Sequence, residues 1–163
     1  QEIGKKLRQV YGTKNAIIKL TNLKKDAVEI EGRRIIHLET LGKELNCKKC
    51  NSVLSLQNIL HEERHGLASI FLIKCHQCEG ISKVCSDKEH KVYEKRTHFD
   101  TNTKVVIGTL NAGMGNTHLN KVLSALNIPE FNWDVFKVHE KEVGRAVEEM
   151  ARESCINATA AER

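Results

Sequence analysis

CKKCNSVLSLQNILHEERHGLASIFLIKCHQC, residues 47–78, decides how this chain folds. Two Cys-x-x-Cys pairs, Cys47/Cys50 and Cys75/Cys78, bracket an apolar stretch of 24 residues. Each Cys-x-x-Cys turn offers two thiolates from one tight bend. A hairpin that carries the second turn alongside the first completes a tetrahedron of sulfur suited to zinc. Val53, Ser55 and Gln57 alternate with Leu54, Leu56 and Asn58, which predicts a strand bending near Ile59. HEERHG, ending at Gly66, reads as the turn, and LASIFLIKC as the returning strand. Ile81–Val84 reads as a further strand, followed by a polar loop to residue 100. Upstream, RRIIHLETLGKEL begins as a strand at Arg34–Leu38 and turns near Gly42.

From Thr101 onward the apolar spacing becomes helical. A first helix is predicted over 101–112, capped by Asp100 or Thr101 and stopped by Gly113. A second starts at Asn116 or Thr117, carries Leu119, Val122, Leu123 and Leu126 at helical spacing, and ends at Asn127 before Pro129. A third is capped by Asn132 and carries a stripe of Trp133, Phe136, Val143, Ala146, Val147 and Met150. The fold class expected is α+β. A basic arm (1–32) precedes a zinc-ribbon-like antiparallel module (33–99), a three-helix, helix-turn-helix-like module (100–155) and a frayed tail (156–163).

Charge narrows the function classes. Residues 1–34 carry nine Lys/Arg against four acids, while 35–163 carry 17 of each sign. A basic arm on a neutral body suits DNA or another polyanion, or is simply solvated. Lys5, Lys6, Arg33, Arg34 and the knuckle lysines Lys48 and Lys49 are the candidate DNA contacts. Lys48 and Lys49 serve equally well to offset the charge of a tetrathiolate centre. The helical segment 105–163 has six basic and eight acidic residues, which favours packing over DNA reading.

The six cysteines come without an apolar leader, and no run reaches the roughly 18–20 residues of a membrane span. An intracellular chain with metal-bound rather than disulfide cysteines is expected, and the start at Gln1 reads as that of a fragment. Cys85, His90 and His98 could make a second metal site. The simpler reading is one small buried thiol and two surface histidines. Asp100, Asp134 and Glu148/Glu149 read as cap, first-turn and solvated helix residues. No nucleophile–base pair, no phosphate loop and no small-molecule site stands out.

RRIIHLETLGKELNCKKCNSVLSLQNI, GLASIFLIKCHQC, HFDTNTKVVIGTLNAGMGNTHLNKVLSALNIPEFN and EVGRAVEEMARESC follow one another in an order that resembles the N-terminal part of the Mutator-like transposase domain, over roughly residues 33–155. The resemblance implies a nuclear DNA transposase whose acidic catalytic triad sits on an RNase H-like core. No residue here matches that core's first aspartate strand, so no catalytic residue carries over. The four knuckle cysteines and the helical linker do. The function expected is DNA binding on behalf of a catalytic core outside the chain. The alternative is a zinc-stabilised module through which transposase copies associate.

Overall fold

A computed structural model describes residues 30–92 and 96–162. Lys5 and Lys6, with most of the basic arm, lie outside the described residues. The elements are α1 (Leu38–Glu44), a 3-10 turn (Leu56–Asn58), β1 (Ile59–His65), β2 (Ala68–Lys74), β3 (Ile81–Cys85), β4 (Glu89–Lys91), β5 (Thr97–Phe99), α2 (Asp100–Asn111), α3 (Asn116–Ala125) and α4 (Trp133–Ala161). β1, β2 and β3 form one sheet in that order, and β4 pairs with β5. The architecture is α+β, as the sequence predicts. Two compact units share the chain. One contains Asn46–Glu62 and Phe71–Lys83; the other is Glu31–Leu45, Glu63–Ile70 and Val84–Arg163.

Several elements differ from the expectation. HEER belongs to β1, and the turn shrinks to Gly66-Leu67, which a two-residue antiparallel connection requires. Gly66 has φ +69, and a Cβ there would lie 2.6 Å from Phe131 Cε2 and 2.7 Å from Asn102 Oδ1. The stretch 53–58 forms a bridge at Val53 with Asn46 and then a 3-10 turn capped by Ser55, not a continuous strand. Leu38–Glu44 is helical, because the His37 ring accepts the Thr40 N–H and caps the first turn. The polar loop contains the β4–β5 pair.

The helical unit follows the predicted pattern closely. α2 ends at Gly113, φ +67, with the Met114 N–H reaching the Thr109 carbonyl and the Gly113 N–H the Leu110 carbonyl. α3 ends the same way at Asn127, φ 53, with Ile128 bonded to Leu123 and Asn127 to Ser124. Both are left-handed C-caps that satisfy the last carbonyls. The α2 N-terminus is capped from a distance. Neither Asp100 nor Thr101 caps it; the buried Asp87 carboxylate accepts the Thr101 N–H at 2.6 Å. Asn132 does cap α4, accepting the Asp134 N–H. The predicted frayed tail is instead a continuation of α4 to Ala161.

The core of this unit is Leu67, Val106, Leu119, Leu123, Phe131, Phe136 and Val143. The α4 stripe is buried only at Phe136, His139 and Val143; Trp133, Ala146, Val147 and Met150 are exposed. Asn102 is 3% exposed and clamps the hairpin turn: its Oδ1 accepts the Leu67 N–H at 2.9 Å and its Nδ2 donates to the His65 carbonyl at 2.8 Å. Asn102→Ala leaves the buried Leu67 N–H unpaired, at about 1–3 kcal/mol, and releases the His65 carbonyl. Chemical denaturation should therefore show a clear loss of stability, with Asn102→Asp retaining part of the Leu67 bond.

Candidate metal centre and nucleic-acid interface

Each knuckle is built by the same backbone device. The Asn51 N–H bonds to the Cys47 carbonyl and the Glu79 N–H to the Cys75 carbonyl. The Cys47 N–H bonds to the Ser52 carbonyl and the Cys75 N–H to the Gly80 carbonyl, both at 2.8 Å. Asn51 and Glu79 both take positive φ, 59 and 55. A left-handed residue straight after the second cysteine turns the chain back and leaves both thiols on the inside of the loop. The same conformation at two non-glycine positions marks over-determined geometry. Gly80 answers to Ser52 in the repeat and is closely packed: a Cβ would lie 3.2 Å from Cys78 Sγ and 3.3 Å from Lys49 Cδ.

The two knuckles bring four sulfurs together. Cys47 Sγ lies 3.5 Å from Cys78 Sγ, and Cys50 Sγ 3.6 Å from Cys75 Sγ. All four lie within 4.8 Å of one another. These separations are far longer than a disulfide bond of about 2.05 Å. They fall just inside the roughly 3.8 Å between sulfurs of a regular tetrahedron with 2.3 Å metal–sulfur bonds. The donor set therefore fits a tetrahedral metal ion. Lys49 N–H points at Cys47 Sγ, and the Ser52 hydroxyl lies 3.0 Å from Cys75 Sγ and 3.1 Å from Cys50 Sγ. The Ser52 hydroxyl, with the Cys78 N–H, holds the Cys75 thiol down to about 5. The Cys50 and Lys49 N–H groups lower Cys47. The Gly80 N–H favours ionisation of Cys78 too, but burial and the neighbouring sulfurs outweigh it and push this thiol up to about 11. Four thiols this close cannot all ionise without a cation among them.

Lys48 and Lys49 are exposed beside this centre. The other described basic candidates are occupied locally. Arg33 donates through Nη1 to the Leu126 carbonyl at 2.7 Å, closing the end of α3, and Arg34 Nη1 donates to the Glu31 and Arg33 carbonyls. A cation cluster that sequence spacing does not reveal lies elsewhere. Arg96, Lys141 and Arg145 line one cleft with His98, Glu142, Val92 and Val138. Its basic residues come from β5's approach and from successive turns of α4, which as a whole carries four basic and six acidic residues. Only the i, i+4 spacing of Lys141 and Arg145 hints at it.

His90 and His98 are not lone surface histidines. They sit opposite each other in the β4–β5 pair, and both reach Glu142 on α4 at 2.7 Å. Cys85 is not among them; its N–H bonds to Glu44 Oε2. Burial opposes charge on this cluster. Hydrogen bonds to Glu142 and Asp100 nonetheless raise His90, and those from His98 and His90 hold Glu142 below the usual carboxylate range. Asp100 is likewise lowered by His90 and Lys104. Burial, and then the neighbouring His98, push His139 down to about 4, so it is neutral.

The sequence matches the Mutator-like transposase family model over residues 32–163. The chain belongs to the Mutator-like transposase family. No curated protein and no solved structure matches it. The family assignment covers both the cysteine knuckles and the three helices. In this chain the motif DTNTK has a structural reading. Asp100 pairs with His90 and Lys104, Asn102 clamps the hairpin, and Thr103 Oγ1 lies 2.9 Å from His139 Nδ1. GNTHLN has one as well. Asn116 and Asn120 donate to the Phe131 carbonyl, and Asn120 Oδ1 accepts the Phe131 N–H, fixing the turn that follows Pro129. Asp134, Glu148 and Glu149 are exposed on α4. No helix among the described residues is long and apolar enough to cross a membrane.

Proposed function

We propose that this part of a Mutator-like transposase binds DNA, and that a structural zinc ion held by Cys47, Cys50, Cys75 and Cys78 shapes the knuckle unit that does so. The family match over residues 32–163 carries the reading. Transposases act on DNA. Zinc suits four cysteine sulfurs at tetrahedral separation and contributes folding energy rather than chemistry. Lys48 and Lys49 supply phosphate contacts from the knuckle unit. Arg96, Lys141 and Arg145 supply them from the helical unit. On this reading the protein works in the nucleus.

The test is a salt titration of binding to a labelled random-sequence duplex. The logarithm of the binding constant should fall linearly with the logarithm of salt concentration. Replacing Lys48 and Lys49 together by Ala should weaken binding on every sequence and reduce the slope by about one for each phosphate no longer neutralised. Binding that ignores salt would overturn the reading.

A second reading rests on α4. Beyond Val143 its buried face continues as Val147, Met150, Ala151 and Ser154, all exposed, with Val147 at 58% and Met150 at 70%. Such a stripe suits a second copy of the same helix. Sedimentation should then show concentration-dependent association, insensitive to salt and abolished by Met150→Glu.

A further inference from the structure

We propose that His90, His98 and Glu142 form a second metal site, for a borderline divalent cation such as zinc, within the helical unit. The β4–β5 register sets His90 directly opposite His98, so both rings leave the same side of the strand pair. Glu142 reaches them from α4, its Oε1 2.7 Å from His90 Nε2 and its Oε2 2.7 Å from His98 Nδ1. One donor atom from each of the three lies within 4.8 Å of the others. Tetrahedral zinc with nitrogen and oxygen ligands spaces its donors by about 3.3 Å. A small outward movement of the Glu142 carboxylate therefore opens room for the ion.

The surroundings are those of a ligand set. His90 Nδ1 lies 2.8 Å from Asp100 Oδ1, so both ring nitrogens of His90 face carboxylates. A neutral imidazole has one N–H and can donate to only one of them. A protonated ring donates to both carboxylates; a cation that replaces the proton on Nε2 is held by that nitrogen and Glu142, while the other N–H stays with Asp100. A carboxylate that orients a ligating histidine through its other nitrogen is the usual outer support of a zinc ligand. Behind the site, His139 is 3% exposed, its ring 4.5 Å from that of His98, and Thr103 Oγ1 lies within reach of both His139 and Glu142. His98 and Glu142 also line the cleft that holds Arg96, Lys141 and Arg145. The position that three protein ligands leave open is thereby offered to water or to an anionic oxygen.

Zinc alone is the probe. The reduced full chain, loaded with zinc and desalted, should carry two ions by elemental analysis. Glu142→Gln and His98→Gln should each lower the count to one, while Cys75→Ser removes the other ion and leaves this one. Nitrogen-15 spectra of histidine-labelled wild type need no variant. His90 Nε2 and His98 Nδ1 should shift on zinc addition, and the His139 signals should keep their neutral-ring positions. Histidine signals that zinc does not move would overturn the proposal and leave a plain ion-pair network. So would a count of two that both cluster variants retain. Failure of the cysteine centre alone would appear separately, as moving histidine signals with a count that Cys75→Ser does not change.

Discussion

Cys75→Ser should abolish the fold of the knuckle unit, even with zinc in excess. The described part of that unit is Asn46–Glu62 and Phe71–Lys83. Its buried apolar residues are Leu54, Ile59, Phe71, Leu72 and Ile73. Small units of this kind often need a metal or disulfides, and the four knuckle cysteines form no disulfide. Structural zinc in small domains is worth about 10–16 kcal/mol of apparent binding free energy at neutral pH, and that energy is folding energy. Cys75 is the best ligand to remove. It is fully buried, and the Ser52 hydroxyl and Cys78 N–H hold its thiol down to about 5. Chelation of the wild type should reproduce the variant. Limited proteolysis should then cut within residues 46–62, while the helical signal in circular dichroism survives because α2, α3 and α4 have their own core. A variant as resistant to protease as the wild type would show that packing alone holds the knuckles.

Phe136→Ala should cost the helical unit about 3–5 kcal/mol, the range for truncating a buried aromatic. Phe136 is 1% exposed and meets Phe131, itself fully buried, edge to face at 6.2 Å between ring centroids. Three residues earlier, Trp133 is the larger side chain but is 54% exposed. It stacks on Phe136 from the solvent side, with Lys137 Nζ 4.8 Å from its ring centroid. Trp133→Ala should therefore cost much less than Phe136→Ala. Paired thermal melts check the order, and a reversed order would contradict this packing of α4.

The contrast between Phe136 and Trp133 shows what sequence can and cannot supply. The cysteine spacing is legible because metal ligation fixes residue type and separation together. The ends of α2 and α3 are legible because Gly113 and Asn127 are residues that tolerate left-handed backbone. Legibility fails where a distant partner decides. Asp87, not Asp100, caps α2, and no local pattern points to a carboxylate before an intervening strand pair. Arg34–Leu38 looks apolar enough for a strand, but the His37 cap starts a helix. The α4 stripe from Trp133 to Met150 is periodic throughout, yet periodicity does not say how far a partner extends, and burial stops at Val143. Glu142 escapes for the same reason. It looks like any solvated helix residue until β4 and β5 present two histidines to it.

The most direct test is cobalt substitution of the reduced chain, read by the thiolate-to-cobalt charge-transfer absorption. The expected result is a tetrahedral spectrum of full tetrathiolate intensity at the first equivalent, displaced by zinc and diminished in Cys75→Ser. Absence of a thiolate band, with cobalt bound only through nitrogen and oxygen, would contradict the metal-built knuckle on which the proposed DNA-binding unit depends.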